Sequence, residues 1–145
     1  MLDGTPPMGA AIYAQAWKPM GAWSLSLIDC EFRSNMALWG GAIFFSITDD
    51  TATENGEVII SDCDFADNEA MDGGGAILYE GKRQKLTLRN TRFTGNRAGG
   101  PGGAAFNMWG CGEGCTMFGL TFEGHPNTAS TIAINRGEVA WTCEK

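Results

Sequence analysis

The sequence predicts an all-β fold, a right-handed parallel β-helix (a solenoid) of about four coils with three short strands each. Three observations carry this. A block of spaced residues recurs along the chain, which is the signature of stacked units. Glycine is very frequent, 21 of 145 residues, without the period of collagen, so the chain turns many tight corners. No long segment shows apolar spacing of i, i+3, i+4, i+7, and so much glycine would cost about 1 kcal/mol per interior helical site.

The repeat is anchored on Phe32, Phe65 and Phe93. Leu25 and Leu27, Val58 and Ile60, and Leu86 and Leu88 stand seven and five residues before each Phe. Their period of two turns both side chains inward on a strand. Asp29, Asp62 and Asn90 follow, residues that tolerate left-handed backbone and so turn the first corner. Cys30, Cys63 and Thr91 come next; with Phe at the second position after them, the strand points inward again. Asn35, Asn68 and Asn96 stand at a second corner, and Ala37, Ala70 and Ala98 follow them. The third strand begins in Gly40–Ile43, Gly74–Ile77 and Gly102–Ala105, where glycine permits close approach of neighbouring backbones.

A degenerate copy runs through Cys115, Met117, Gly119, Leu120 and Phe122, with His125 in the Asn slot and 131–134 in the last slot. Gly9–Ile12 reads as the tail of a further copy. The units are therefore placed at about 25–57, 58–85, 86–114 and 115–138, with 1–24 a partial coil in a single segment, 1–145. Equivalent residues should pile into ladders: Phe32, Phe65, Phe93 and Phe122 ring on ring, and Asn35, Asn68 and Asn96 amide on amide. Each buried Phe contributes on the order of 1.5–3 kcal/mol.

Phe32–Asn35 with Gly40–Ile43, Phe65–Asn68 with Gly74–Ile77, and Phe93–Asn96 with Gly102–Ala105 pair F-x-x-N with G-G-A-I in fixed order. This resembles the repeats of the chlamydial polymorphic membrane proteins, over about residues 25–134. The resemblance implies the passenger of an autotransporter that adheres to host cells. It implies a surface location, attached to the outer membrane as part of a longer protein. No signal peptide is visible in the opening residues, so the chain is expected to be a slice of such a passenger.

The net charge of -7 lacks the basic footprint that nucleic acid or an anionic membrane would require. No apolar run is long enough for a membrane-spanning helix. The expected partner is a host-cell protein or a glycan, with self-association through the open ends of the stack as a further expectation.

Candidates for catalysis are Glu31, Asp64, Asp67 and Arg92. Glu31, Asp64 and Arg92 share one outward slot, and a carboxylate pair beside a cation suits acid/base cleavage of a glycan. The alternative is a solvated column of mixed charge. Candidates for ligand contact are Trp39 and Trp109, since exposed indoles stack on sugars or anchor proteins; the alternative is that they cover the core. Cys111 and Cys115 are expected to form a local disulfide, although with His125 and Cys143 they offer an alternative zinc set. No metal and no cofactor is expected. The glycine clusters lack the Lys-Ser/Thr of a phosphate loop and are read as corners. The favoured function is non-catalytic adhesion or ligand binding; a polysaccharide lyase or hydrolase and a structural spacer are the alternatives.

Overall fold

The computed structural model describes residues 8–16, 23–47, 56–81, 84–100, 102–110, 115–124 and 132–134. Trp17, Cys111, His125, Thr131, Trp141 and Cys143 lie outside the described residues, as does most of the insertion at 48–57.

Among the described residues every regular element is a strand. Strand β1 (Ile12–Ala16) precedes the first full repeat. That repeat holds β2 (Trp23–Ile28), β3 (Glu31–Arg33), β4 (Met36–Ala37) and β5 (Ile43–Ile47). The second holds β6 (Gly56–Ser61), β7 (Asp64–Ala66), β8 (Glu69–Ala70) and β9 (Ile77–Gly81). The third holds β10 (Lys85–Arg89), β11 (Arg92–Thr94), β12 (Arg97–Ala98) and β13 (Phe106–Met108). Then come β14 (Thr116–Phe118), β15 (Thr121–Glu123) and β16 (Ile132–Ile134).

Each strand pairs, in parallel, with its equivalents in the repeats before and after it. Four sheets result: β2-β6-β10-β14, β3-β7-β11-β15, β4-β8-β12 and β1-β5-β9-β13-β16. We call them the Leu, Phe, Ala and Ile sheets after their inward residues. The sequence predicts three strands per coil; the Asn corner instead extends into a fourth, two-residue strand with its own sheet. Its Ala column (Ala37, Ala70 and Ala98) is wholly buried or nearly so, which lets the chain pass close to the core.

Inward side chains of the Leu, Phe and Ile sheets meet in one hydrophobic cluster. Leu25, Val58 and Leu86 stack in register, as do Leu27, Ile60, Leu88 and Met117. The rings of Phe32, Phe65, Phe93 and Phe122 lie nearly parallel, with centroid separations of 4.7, 5.1 and 5.2 Å. That is the rise of one strand on the next, about 4.8 Å. Asn68 is fully buried, and its amide is saturated. Its Oδ1 accepts from the backbone N–H and Nδ2 of Asn35 at 3.1 and 2.9 Å. Its Nδ2 donates to the Phe32 carbonyl and to Asn96 Oδ1, both at 2.9 Å.

Two corners use left-handed backbone at ladder positions. Asp29, Asp62, Asn90 and Gly119 take φ of 54°, 56°, 47° and 63° at the first. Ser34, Asp67, Gly95 and Gly124 take 53°, 54°, 61° and 61° at the second, each one residue ahead of the Asn slot.

Two alignments need correction. Phe106, not Ala105, pairs with Ile77, so the third glycine segment is shifted by one residue. Ala105 occupies the slot of Ala42 and Ala76, with Ile77 donating to its carbonyl at 3.1 Å. A bulky inward Phe106, 1% exposed, fills the core where Ala105 would leave a void. Ile132, not Ile134, likewise stands opposite Phe106. The corner between the Ala and Ile sheets absorbs the shift: it lengthens by one residue per repeat, from Ala37–Ile43 to Ala70–Ile77 to Ala98–Phe106.

Phe65→Ala is expected to cost about 3–5 kcal/mol in urea unfolding. Asn68→Leu keeps the volume but strands buried backbone and amide groups, at roughly 1–3 kcal/mol for each. Met36→Ala, at a position 57% exposed, should stay within about 0.5 kcal/mol. Equal losses for all three would refute the ladders as the source of stability.

Candidate functional site

The outward face of the Leu and Phe sheets carries the charge. Glu31, Asp64, Arg92 and Thr121 stand side by side on successive strands. Arg33, two residues along β3, bridges the first two: it pairs with Glu31 and its Nη2 lies 3.0 Å from Asp64 Oδ2. Asp64 Oδ1 is buried and accepts no hydrogen bond. The structure thus brings Glu31, Asp64 and Arg92 into one column. Asp67 lies apart, because it is the left-handed residue of the second corner. Its carboxylate extends over Gly95 of the next repeat, where a Cβ would collide with it.

A second polar network runs along the first corner. Arg89 Nε donates to Ser61 Oγ at 2.9 Å, and Ser61 in turn donates to the Asp62 carboxylate. Asn90 Nδ2 donates to Asp62 Oδ1 at 3.2 Å. These two hydrogen bonds, first Ser61 and then Asn90, hold the Asp62 carboxyl below its ordinary value; Arg89 adds a smaller push in the same direction. Hydrogen bonds that favour the charged carboxylate suit a corner that keeps its shape at neutral pH.

The outward face of the Ile sheet is different. Phe44, Leu78 and Asn107 are nearly inaccessible although they point away from the main core. Trp39 lies across Phe44 at 6.3 Å, and its indole N–H donates to Asp72 Oδ2 at 2.7 Å. Tyr13 stacks on the other flank of Phe44 at 5.4 Å with an angle of 8°. Trp39 is therefore half-buried and engaged, covering this second apolar layer. Trp109 is 51% exposed and Tyr13 50% exposed, so these two rings offer free surface. Trp23 turns inward, tilted against Phe45, over a Gly56 that has no side chain to obstruct it.

Sequence reasoning missed Tyr13, Phe44, Arg33 and Ser61. The signal for Phe44 is present in Ile43-Phe44-Phe45 and Ile77-Leu78-Tyr79, where apolar residues do not alternate with polar ones; such runs mark strands buried on both faces.

Cys30 and Cys63 are free thiols in adjacent equivalent positions, and burial pushes the Cys63 thiol up. Cys115 is disulfide-bonded, with its partner outside the described residues. Burial also pushes the Tyr79 phenol up. Among the described residues no cluster of three His, Cys, Asp or Glu is placed to hold a metal. No protein-family model, no curated protein and no solved structure matches the chain.

An NMR pH titration should place the Asp62 carboxyl below an exposed Asp, and Asn90→Ala should move it back up. The sign follows from the depressed folded value. Any stability from Asp62 is present above the unfolded carboxylate value and is lost as pH falls through the folded one. An Asp62 resonance that titrates like an unstructured peptide would refute the corner network.

Proposed function

We propose that the chain is a stretch of right-handed parallel β-helix, about four coils long, that serves as a non-catalytic binding scaffold at a cell surface. Four parallel sheets sharing one repeat support the solenoid. The paired F-x-x-N and G-G-A-I segments, which resemble those of the polymorphic membrane proteins, support adhesion. The partner is a host-cell protein or a glycan.

The observation that carries a binding role is the exposure of Tyr13 and Trp109, each about half accessible, Tyr13 at the end of a strip of stacked rings and Trp109 just past β13. Aromatic rings supply large contact area at low entropic cost and stack on sugar faces. The charged column fits this reading as a solvated flank, since Arg33 compensates two of its carboxylates internally. One observation favours the glycan-cleaving alternative: Asp64 Oδ1 has no hydrogen-bond partner and stands next to Arg92 in the column.

Glycan arrays and host-cell binding test the proposal, with Tyr13→Ala and Trp109→Ala as variants. Loss of about 1.4 kcal/mol, a tenfold weaker Kd, is expected from at least one of them. Binding by neither assay would favour a spacer. Turnover of acidic polysaccharides that Asp64→Asn abolishes would replace the scaffold with an enzyme.

A further inference from the structure

We propose that Cys30 and Cys63 form a redox latch: a thiol pair that exchanges with a small organic disulfide and closes into a covalent bond between the first and second full repeats. The inference rests on the stacking of the repeats and is independent of the ligand-binding reading.

The backbone holds the two residues one above the other. Each follows a left-handed corner residue, Asp29 at φ 54° and Asp62 at φ 56°. Before the pair, Asp29 donates to the Ser61 carbonyl at 3.1 Å. After it, Asp64 donates to the Cys30 carbonyl at 2.9 Å, and Glu31 stands opposite Asp64. The two α-carbons are therefore one strand spacing apart, about 4.8 Å. A disulfide accepts about 4.4–6.8 Å between α-carbons and needs β-carbons roughly 3.5–4.5 Å apart. Closure thus asks for a small approach of the two corners. Strand β3 can supply it, because among the described residues it ends the Phe sheet and pairs only with β7.

The side chains already point the same way. Cys30 Sγ donates to the Ile28 carbonyl at 3.3 Å and Cys63 Sγ to the Ser61 carbonyl at 3.2 Å, the same contact two residues back. Cys63 Sγ also lies 3.5 Å from the Leu27 carbonyl, in the repeat that holds Cys30. In the third repeat Thr91 Oγ1 makes the equivalent contact, 2.8 Å from the Arg89 carbonyl. A hydroxyl thus satisfies the corner as a thiol does, so the corner gives no reason for sulfur in two consecutive slots. Pairing does. Releasing the carbonyls loses little, since a thiol is a weak donor.

Access sets the order of events. Cys30 is half-buried, whereas Cys63 is 3% exposed. The Cys30 thiolate attacks one sulfur of the dissolved disulfide; that S–S bond breaks, and the departing thiolate takes up a proton. Burial keeps the Cys63 thiol protonated, so it reacts only with a sulfur at its side. It then loses its proton to water, attacks Cys30 Sγ and expels the second small thiol. Two protein thiols are oxidised, and one small disulfide is reduced to two thiols. Cys115 already belongs to a disulfide, and surroundings that preserve that bond also hold small disulfides to exchange with.

The probe is oxidised glutathione added to the full chain, followed by alkylation of the remaining thiols and peptide mapping. The peptides of Cys30 and Cys63 should appear joined, with no glutathione retained. Oxidation should raise Tm by roughly 5 °C, a shift absent from Cys30→Ser. Cys63→Thr, which copies the slot of the third repeat, should stop with one glutathione held on Cys30. Cys30→Ser should leave Cys63 unmodified. Two thiols that stay free, glutathione retained on Cys30 of the unaltered chain, a bond from Cys30 to any other cysteine, or a Cys30–Cys63 bond that leaves Tm unchanged would each overturn the proposal.

Discussion

The buried amide of Asn68 is the constraint on which the rest depends. It uses all four of its hydrogen-bonding positions, two as acceptor and two as donor, and every partner belongs to a neighbouring repeat. Apolar columns alone resist a slip of one residue, which would turn the inward face outward, but tolerate a slip of two, since Leu upon Val differs little from Leu upon Ile. An amide ladder does not. A slip of two residues would leave donors and acceptors buried without partners, and each such group costs about 1–3 kcal/mol, roughly twice what a formed bond gains. The Asn ladder therefore selects the register, and the Phe stack beside it supplies burial once the register is set.

Register in turn dictates the corners. A strand that must return above its predecessor with the same face inward has to turn at the same point in every repeat. The first corner does so with Asp, Asp, Asn and Gly, the second with Ser, Asp, Gly and Gly, all at positive φ. Left-handed backbone is disfavoured for most residues and least so for Gly, Asn and Asp, which fill all but one of these positions, Ser34 being the exception. The side chains then assist one another: Asn90 reaches back to Asp62, and Asp67 lies over Gly95. Glycine at 95 thus answers the carboxylate one repeat earlier as well as its own backbone. An acidic residue at such a corner serves conformation, which is why Asp67 stands away from the charged column.

The columns of Leu, Phe and Asn were legible in the sequence because spacing from strand to corner is constant through Ala37, Ala70 and Ala98. Legibility ended where spacing changed. The corner after Ala98 is two residues longer than the one after Ala37, and the tetrapeptide beginning at Gly102 mimics the motif in the wrong frame. Only packing decides between Ala105 and Phe106, and it chooses the larger side chain. The fourth strand was hidden for another reason: two residues are too few to show a period. Of the candidate site, the shared slot of Glu31, Asp64 and Arg92 follows from alignment alone. Arg33 does not, since its reach across to Asp64 is a property of a side chain and leaves no mark in the spacing.

The same geometry separates positions that must repeat from positions that need not. An inward residue meets its vertical neighbours, two other sheets and no water, so its size and polarity are fixed from all sides. An outward residue on the Phe sheet meets only its neighbours on that face and water, as Arg33 meets Glu31 and Asp64. The column therefore changes freely from Glu to Asp to Arg to Thr while the adjacent column remains Phe throughout. The Ile sheet breaks this division. Its outward Phe44 and Leu78 are sealed beneath Trp39 and the corner segments, so both of its faces are constrained. Freedom to vary without disturbing the stack is left to the outer Leu and Phe faces and to exposed rings such as Tyr13 and Trp109.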